Sequence, residues 1–228
     1  MTRLLPALLV FALAGCAVDD NNPNLTDAGP TGPRYDQLDQ SNATMSLAVS
    51  ADDSTATVSV TLTNSAGQPV TLQSGQKLQV NGVDLAGSAG SYAQTVPAAS
   101  TYAVVVNEPR HGVLTTDFSP APTFAITSTG LDLAGSTLTW SPVDGAAKVD
   151  VSMSQQGAST LQTADFPLTT DPGTLHLTDV QLSKFVQGFP LTLTITRTDN
   201  GPALQGVATS SVTLTRTRTQ SITPTSSL

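Results

Sequence analysis

Strict alternation of apolar and hydroxyl side chains is the feature that most constrains the fold of this chain. In residues 56–63, ATVSVTLT, every second residue is apolar and the residues between are Thr or Ser. Successive side chains of a β-strand point to opposite faces, so this pattern gives one apolar face and one polar face. Similar alternation recurs in residues 45–49, 191–196 and 212–216. These segments predict strands that are buried on one face and solvated on the other.

The acidic residues favour the same fold class. Of the seventeen acidic residues, sixteen are Asp and one, Glu108, is Glu. Glu is a good helix former, whereas Asp prefers helix caps and turns, so long helices are disfavoured. Thr alternating with Val and Leu is typical of strands. We therefore predict an all-β protein.

Turn signals join the strands of residues 42–118 into a first predicted β-sandwich. The strongest is Asn81-Gly82, between apolar segments at 78–80 and 83–85, because Asn-Gly suits the positive φ angles of a type I′ hairpin turn. Six or seven short strands at this spacing are typical of an immunoglobulin-like sandwich. The remaining strands of this domain are predicted at 92–96, 102–106 and 113–118.

A second sandwich is predicted over residues 121–220, after a proline-rich hinge. Its strand ending near Trp140 is followed by a turn with Pro142 and an alternating strand at 148–153. This order resembles the fibronectin type III pattern within the immunoglobulin-like group. The sequence departs from the pattern at Val149, where the family usually has an aromatic residue, and in lacking a tyrosine corner. The resemblance implies a divergent sandwich. Alternation with Leu138 places Trp140 on the core face rather than on a sugar-stacking surface.

The C-terminal third carries one helix signal. Thr178 and Gln181 have the spacing of a capping box, and the apolar residues after them fall at helical spacing, which predicts a short helix over 179–187. The last strand, at 212–216, has outward Thr and Arg residues that discourage pairing at a sheet edge. Residues 221–228 are predicted to form a disordered tail.

The first residues have the architecture of a signal peptide. Arg3 precedes an apolar run at 4–13, which is shorter than the roughly 20 residues that span a bilayer. The residues that follow resemble the lipobox of bacterial lipoproteins, namely Leu13, Ala14, Gly15 and Cys16. The resemblance implies that residues 1–15 are cleaved off and that the Cys16 thiol carries the lipid. The chain has one cysteine, so Cys16 has no intramolecular disulfide partner. The alternative is an unmodified thiol beyond an ordinary secretory cleavage site.

Residues 16–41 are predicted to be a lipid-anchored, disordered linker, because they contain three prolines, repeated Asn and Asp, and no apolar periodicity. Ala17 rather than Asp follows the cysteine, which in Gram-negative lipoproteins implies sorting to the outer membrane. The sequence is compatible with either the periplasmic or the cell-surface face of that membrane. As an alternative, acidic residues such as Asp19 and Asp20 just after the cysteine are typical of a surface-export signal in some bacteria.

Residues 108–112, EPRHG, are the one place in the sequence where an acid, a guanidinium and an imidazole lie together. The proline and the glycine indicate a solvated turn, and the functional alternative is a polar contact site at Arg110 and His111. The sequence contains no nucleophile-elbow, phosphate-loop, dinucleotide or zinc-protease motif. His111 and His176 fall in different predicted domains. We therefore predict no catalytic residue, metal site or cofactor.

The chain has 9 Lys plus Arg against 17 Asp plus Glu, which disfavours nucleic acid as a partner. We expect a non-enzymatic outer-membrane lipoprotein that acts as a protein-binding, adhesion or scaffold module of the cell envelope. Its partners would be the membrane, through the lipid on Cys16, and envelope proteins. One alternative is an accessory spacer of a larger envelope assembly. The other is a carboxylate-dependent hydrolase of envelope polymers, which requires two carboxyl groups facing a cleft.

Overall fold

The computed structural model of the protein describes residues 44–226, apart from 53, 73, 109–111, 121, 158–159, 205–206 and 208. Within these residues the chain forms seventeen strands and one short helix, which confirms the expected all-β fold. The N-terminal part, residues 44–118, contains β1 (Thr44–Ala51), β2 (Thr55–Thr63), β3 (Lys77–Val80), β4 (Val83–Asp84), β5 (Ala86–Ser88), β6 (Ser91–Pro97), β7 (Tyr102–Glu108) and β8 (Gly112–Phe118). The C-terminal part, residues 122–226, contains β9 (Ala125–Ile126), β10 (Leu131–Asp132), β11 (Gly135–Ser141), β12 (Lys148–Gln156), β13 (Leu161–Leu168), β14 (Thr174–Thr178), α1 (Asp179–Leu182), β15 (Leu191–Asn200), β16 (Thr209–Ile222) and β17 (Pro224–Thr225).

An eight-stranded sheet combines strands from both parts, in the order β13-β12-β15-β16-β1-β2-β6-β5. All neighbouring strands are antiparallel except β1 and β16, which are parallel. In β1 and β2 the apolar residues are buried and most residues between them are exposed, as the alternation predicts. On the outer face the hydroxyls form cross-strand pairs, including Thr194 with Thr219 and Thr196 with Thr217.

The inner face of this sheet packs against two smaller sheets. A four-stranded sheet, β4-β3-β7-β8, covers its N-terminal strands, and a three-stranded sheet, β14-β11-β9, covers its C-terminal strands. Each pair of faces encloses its own hydrophobic core. The larger buried residues of the first core include Leu47, Val60, Leu78, Tyr102 and Phe118. Those of the second core include Leu138, Trp140, Met153, Leu193 and Ile195.

The long strand β16 belongs to both cores. Its first residues, 209–216, pair with β1, and residues 213–222 pair with β15. Val212 and Leu214 pack in the first core, together with Leu204, whereas Ile222 packs in the second. The division into two sandwiches at 42–118 and 121–220 stays a prediction, and β16 contributes side chains to the cores of both.

The Asn81-Gly82 turn has the predicted geometry. Asn81 has a φ of 49° and Gly82 a φ of 80°, the positive angles that a type I′ turn requires. The turn joins β3 to β4, in which Val80 pairs with Val83. The local sequence therefore determines this hairpin.

The helix begins where predicted and is shorter than predicted. Thr178 accepts a hydrogen bond from the Gln181 amide, and the Gln181 side chain accepts one from the Thr178 amide, which confirms the capping box. α1 nevertheless ends at Leu182 instead of residue 187. The buried Gln155 side chain bonds both the amide and the carbonyl of Val186, and these tertiary bonds replace helical ones.

Two predictions about the last strand are wrong. β16 is an inner strand of the eight-stranded sheet, and Arg216 is only 4% exposed rather than outward-facing. The segment after residue 220 continues β16 to Ile222 and then forms β17, in which Pro224 pairs with Leu131 and Thr225 with Asp132 of β10. The alternating pattern specifies which side chains share a face, whereas long-range pairing decides which strands are neighbours.

Candidate functional site

Several residues that the sequence singled out lie outside the described residues. They are the lipobox residues Leu13, Ala14, Gly15 and Cys16 and the turn residues Arg110 and His111. Of those that are described, Trp140 is 2% exposed and lies in the second core, which confirms its predicted position. His176 is exposed on β14, where its Nδ1 atom is 2.8 Å from the Thr137 hydroxyl.

The strongest polar cluster is centred on Asp171, a buried carboxylate that follows β13. Its Oδ1 atom accepts hydrogen bonds from Trp140 Nε1 at 2.6 Å and from the Gly173 amide at 3.0 Å. Its Oδ2 atom accepts one from the Asp144 amide at 2.9 Å and lies 2.5 Å from Arg197 Nη2. Both side chains of the ion pair are fully buried. Four donors occupy the carboxylate, so Asp171 has a structural role.

Arg197 occupies an inward position of β15 and is enclosed by second-core residues. Its guanidinium lies 4.1 Å from the centre of the Phe124 ring, an arrangement that adds cation–π attraction. It also donates to the carbonyl of Pro142 and, at 3.5 Å, to that of Pro122. Burial lowers the pKa of Arg197, and the charges of Asp171 and Asp144 oppose that effect. The cation is therefore held by protein groups.

Two carboxyl groups meet beside this ion pair. Burial raises the pKa of Asp199, and the charge and hydrogen bonding of Asp144 raise it further. A glycoside hydrolase separates its two carboxyl groups by roughly 5–9 Å so that sugar or water fits between them. The hydrolase alternative, which requires two carboxyl groups facing a cleft, therefore stays an untested prediction.

Four exposed apolar side chains lie on segments next to β12 and β13 of the C-terminal part. We call them the distal apolar surface: Leu161 in β13, Val180 in α1, and Val186 and Phe189 after α1, each between 46% and 77% exposed. One exposed apolar side chain is ordinary, and a larger exposed apolar area is typical of a contact site. Lys184 lies at its rim and donates a hydrogen bond to the Thr163 carbonyl of β13.

The segment that carries Val186 and Phe189 is held in place by Gln155, which is 1% exposed. The Gln155 amide nitrogen donates to the carbonyls of Val186 and Phe189 at 2.8 and 2.9 Å, and its oxygen accepts from the Val186 amide at 2.7 Å. Phe185 and Leu182 point into the core from the same segment. Val186 and Phe189 are thus presented on a held backbone, which reduces the entropy lost on binding.

The distal apolar surface and the start of the described chain lie at opposite ends of β16. Thr44 pairs with Thr209, the first residue of β16, whereas Ile222, its last residue, pairs with Leu191 next to the Gln155 segment. At about 3.3 Å per residue, β16 extends roughly 40 Å. Thr44, the first described residue, therefore lies far from this surface.

Among the residues that the structure describes, no three His, Cys, Asp or Glu side chains are grouped to hold a metal ion. The same residues contain no helix with the length and apolarity that crossing a bilayer requires. In comparisons with known proteins, no family model matches the chain, and no curated protein matches it either.

Proposed function

We propose that this protein is a non-enzymatic, lipid-anchored binding module of the outer membrane that holds another envelope protein. It would be tethered through Cys16 and the linker of residues 16–41, with divergent immunoglobulin-like sandwiches as its body. The observation that carries the proposal is the distal apolar surface, located at the end of β16 opposite Thr44. A lipid tether would join the described body at Thr44, so the opposite end of β16 would stay accessible to a partner.

The chemistry of the surface supports a protein partner. The exposed Phe189 on a held backbone fits the enrichment of aromatic side chains at the cores of protein interfaces. Burying such side chains contributes about 1.5–3 kcal/mol each. The acidic net charge of −8 keeps the remaining surface soluble and selects against anionic partners.

We expect a photo-crosslinking amino acid at position 186 to form one discrete adduct with an envelope protein in living cells. Adding Phe189→Asp should reduce the adduct at least about tenfold, because a charge then replaces the apolar centre of the contact. Position 113 is the matched control, since Val113 is also exposed but lies on β8, outside the surface. Immunoblotting and mass spectrometry of the adduct provide the measurement.

Equal adducts at positions 186 and 113, or an adduct insensitive to Phe189→Asp, would contradict a specific partner at this surface. The spacer alternative makes a different prediction. A spacer should tolerate Phe189→Asp without any change in its envelope assembly.

The anchor has its own expected result. Cells fed a palmitate analogue should label the wild-type protein and not the Cys16→Ser variant, because the thiol is the acceptor of the lipid. Membrane fractionation of the same cells should show the variant released from the membrane, since two acyl chains suffice for stable attachment. Protease treatment of intact cells assigns the leaflet. Labelling that persists in Cys16→Ser would show that the lipid, if any, is elsewhere.

A further inference from the structure

A cleft opens at the edge of the N-terminal part, far along the sheet from the distal apolar surface. We call it the edge cleft, and its volume is about 390 Å³, within the range of small-ligand sites. It forms where the chain passes from β4 in the four-stranded sheet to β5, the last strand of the eight-stranded sheet. The residues that line it include Leu72, Gln76, Lys77, Asp84, Leu85 and Ser88.

The walls of the edge cleft are held rigidly. The hydroxyl of Tyr92 accepts a hydrogen bond from the Leu72 amide at 2.9 Å and fixes one wall. The Leu85 amide donates to the Leu78 carbonyl at 2.8 Å and fixes the crossing between the sheets. Gly87 has a φ of 158°, and a Cβ atom there would lie 2.1 Å from the Ser91 carbonyl oxygen. Glycine thus permits the close turn of β5 onto β6 that shapes this opening.

The lining combines an apolar floor with a polar rim of no net charge. Leu72, Leu78 and Leu85 form the apolar portion, and the buried Gln76 amide lies among them. At the rim, Lys77 and Asp84 form an exposed ion pair of 3.4 Å, and Gln79 donates to Asp84 at 2.7 Å. The hydrogen bond from Gln79, followed by the charge of Lys77, lowers the pKa of Asp84.

This combination favours a neutral ligand with both an apolar face and hydrogen-bonding groups. The neutral rim and the acidic net charge of the chain disfavour an anion, and the polar groups disfavour a purely apolar molecule. A pyranose ring has an apolar C–H face for the leucine floor and equatorial hydroxyls for Asp84, Lys77 and Gln76. A carboxylate and an ammonium side by side can accept and donate hydrogen bonds to neighbouring sugar hydroxyls.

We propose that the edge cleft binds a neutral saccharide unit, with the leucine floor beneath the ring and the Lys77–Asp84 pair at its hydroxyls. The inference is independent of the proposed protein-binding surface, which lies on other strands. A free sugar and a unit of an envelope glycan offer the same ring, and the test below distinguishes these two sources.

Saturation-transfer NMR of the full-length protein in a non-glycosidic detergent tests the proposal. The probes are the methyl glycosides of glucose, galactose and N-acetylglucosamine, and the corresponding tetrasaccharides. At least one should bind saturably, with a dissociation constant on the order of 1 mM for a single ring. A tetrasaccharide that binds much more tightly than its methyl glycoside identifies a polymer as the source, and equal affinities identify the free sugar.

Three variants locate the binding. Asp84→Asn should weaken it about tenfold through loss of a charge-assisted hydrogen bond, and Ser88→Phe, at an exposed position, should abolish it by filling the cleft. Asp117→Asn is the matched control, because Asp117 is exposed on β8 outside the cleft, and it should leave affinity unchanged.

Absence of saturable binding by every probe overturns the proposal. Binding that Ser88→Phe preserves, or that Asp117→Asn weakens equally, also overturns it. Thermal unfolding of each variant separates lost binding from lost fold.

Discussion

Residues 42–118 expressed alone are expected not to fold. In the intact protein β1 pairs with β16 over eight residues, and the first core includes three residues that this fragment lacks, namely Leu204, Val212 and Leu214. Burying a Val or Leu side chain contributes about 1.5–3 kcal/mol, so together they contribute roughly 5–9 kcal/mol. That is comparable with the whole stability of a typical domain, about 5–15 kcal/mol. Removing β16 also exposes β1 as an unpaired edge.

Urea unfolding followed by circular dichroism, together with amide dispersion in NMR spectra, provides the measurement. The fragment should show no cooperative transition, whereas the full-length protein should. The matched control carries residues 203–216 attached to residue 118 through a flexible Gly/Ser linker, long enough for the strand to run parallel to β1. This chain should regain a cooperative transition. Cooperative unfolding of 42–118 by itself would show instead that the two predicted sandwiches are independent domains.

Asp171→Ala should remove a large part of the stability of the C-terminal part. The substitution removes the carboxylate that pairs directly with the buried Arg197 cation, and breaking a buried ion pair in this way costs about 3–5 kcal/mol. It also removes the acceptor of the Trp140 indole N–H, a buried donor. The free energy of unfolding from urea titration measures the loss, and Trp140 fluorescence reports it in the second core.

A double-mutant cycle separates the ion pair from simple loss of packing. Replacing both partners, with Asp171→Asn and Arg197→Met, should cost less than the sum of the single substitutions, because no unpaired charge then remains buried. Asp84→Ala is the exposed control, since the Lys77–Asp84 pair is solvated, and it should change stability little. Equal losses from Asp171→Ala and Asp84→Ala would contradict a structural role for the buried pair.

The candidate surfaces could be anticipated from the sequence only in part. Arg197 follows the alternating segment 191–196 at a position where the alternation places an inward side chain. A charged residue at such a position indicates a buried cation. Its partner Asp171 lies in a loop after β13, and nothing in the local pattern connects the two. Val186 has the helical spacing of a core residue, yet it is exposed because Gln155 diverts the backbone after α1. The edge cleft arises where two sheets diverge, and no motif encodes it.

Local interactions were sufficient to determine the class of fold and several of its details. Alternation assigned the buried and solvated faces of β1 and β2, Asn81-Gly82 determined a hairpin, and Thr178 with Gln181 determined the start of α1. Each of these depends on residues a few positions apart, whose geometry the backbone itself restricts.

Only the tertiary structure decided which strands are neighbours. The parallel pairing of β1 with β16, the inner position of Arg216 and the pairing of β17 with β10 join segments that are distant in the sequence. Such pairing depends on the packing of whole faces and on the closure of long loops, and the two-residue period of a strand is the same for every possible partner. For this reason the sequence determined the faces of the sheets, and the assembled cores determined their order.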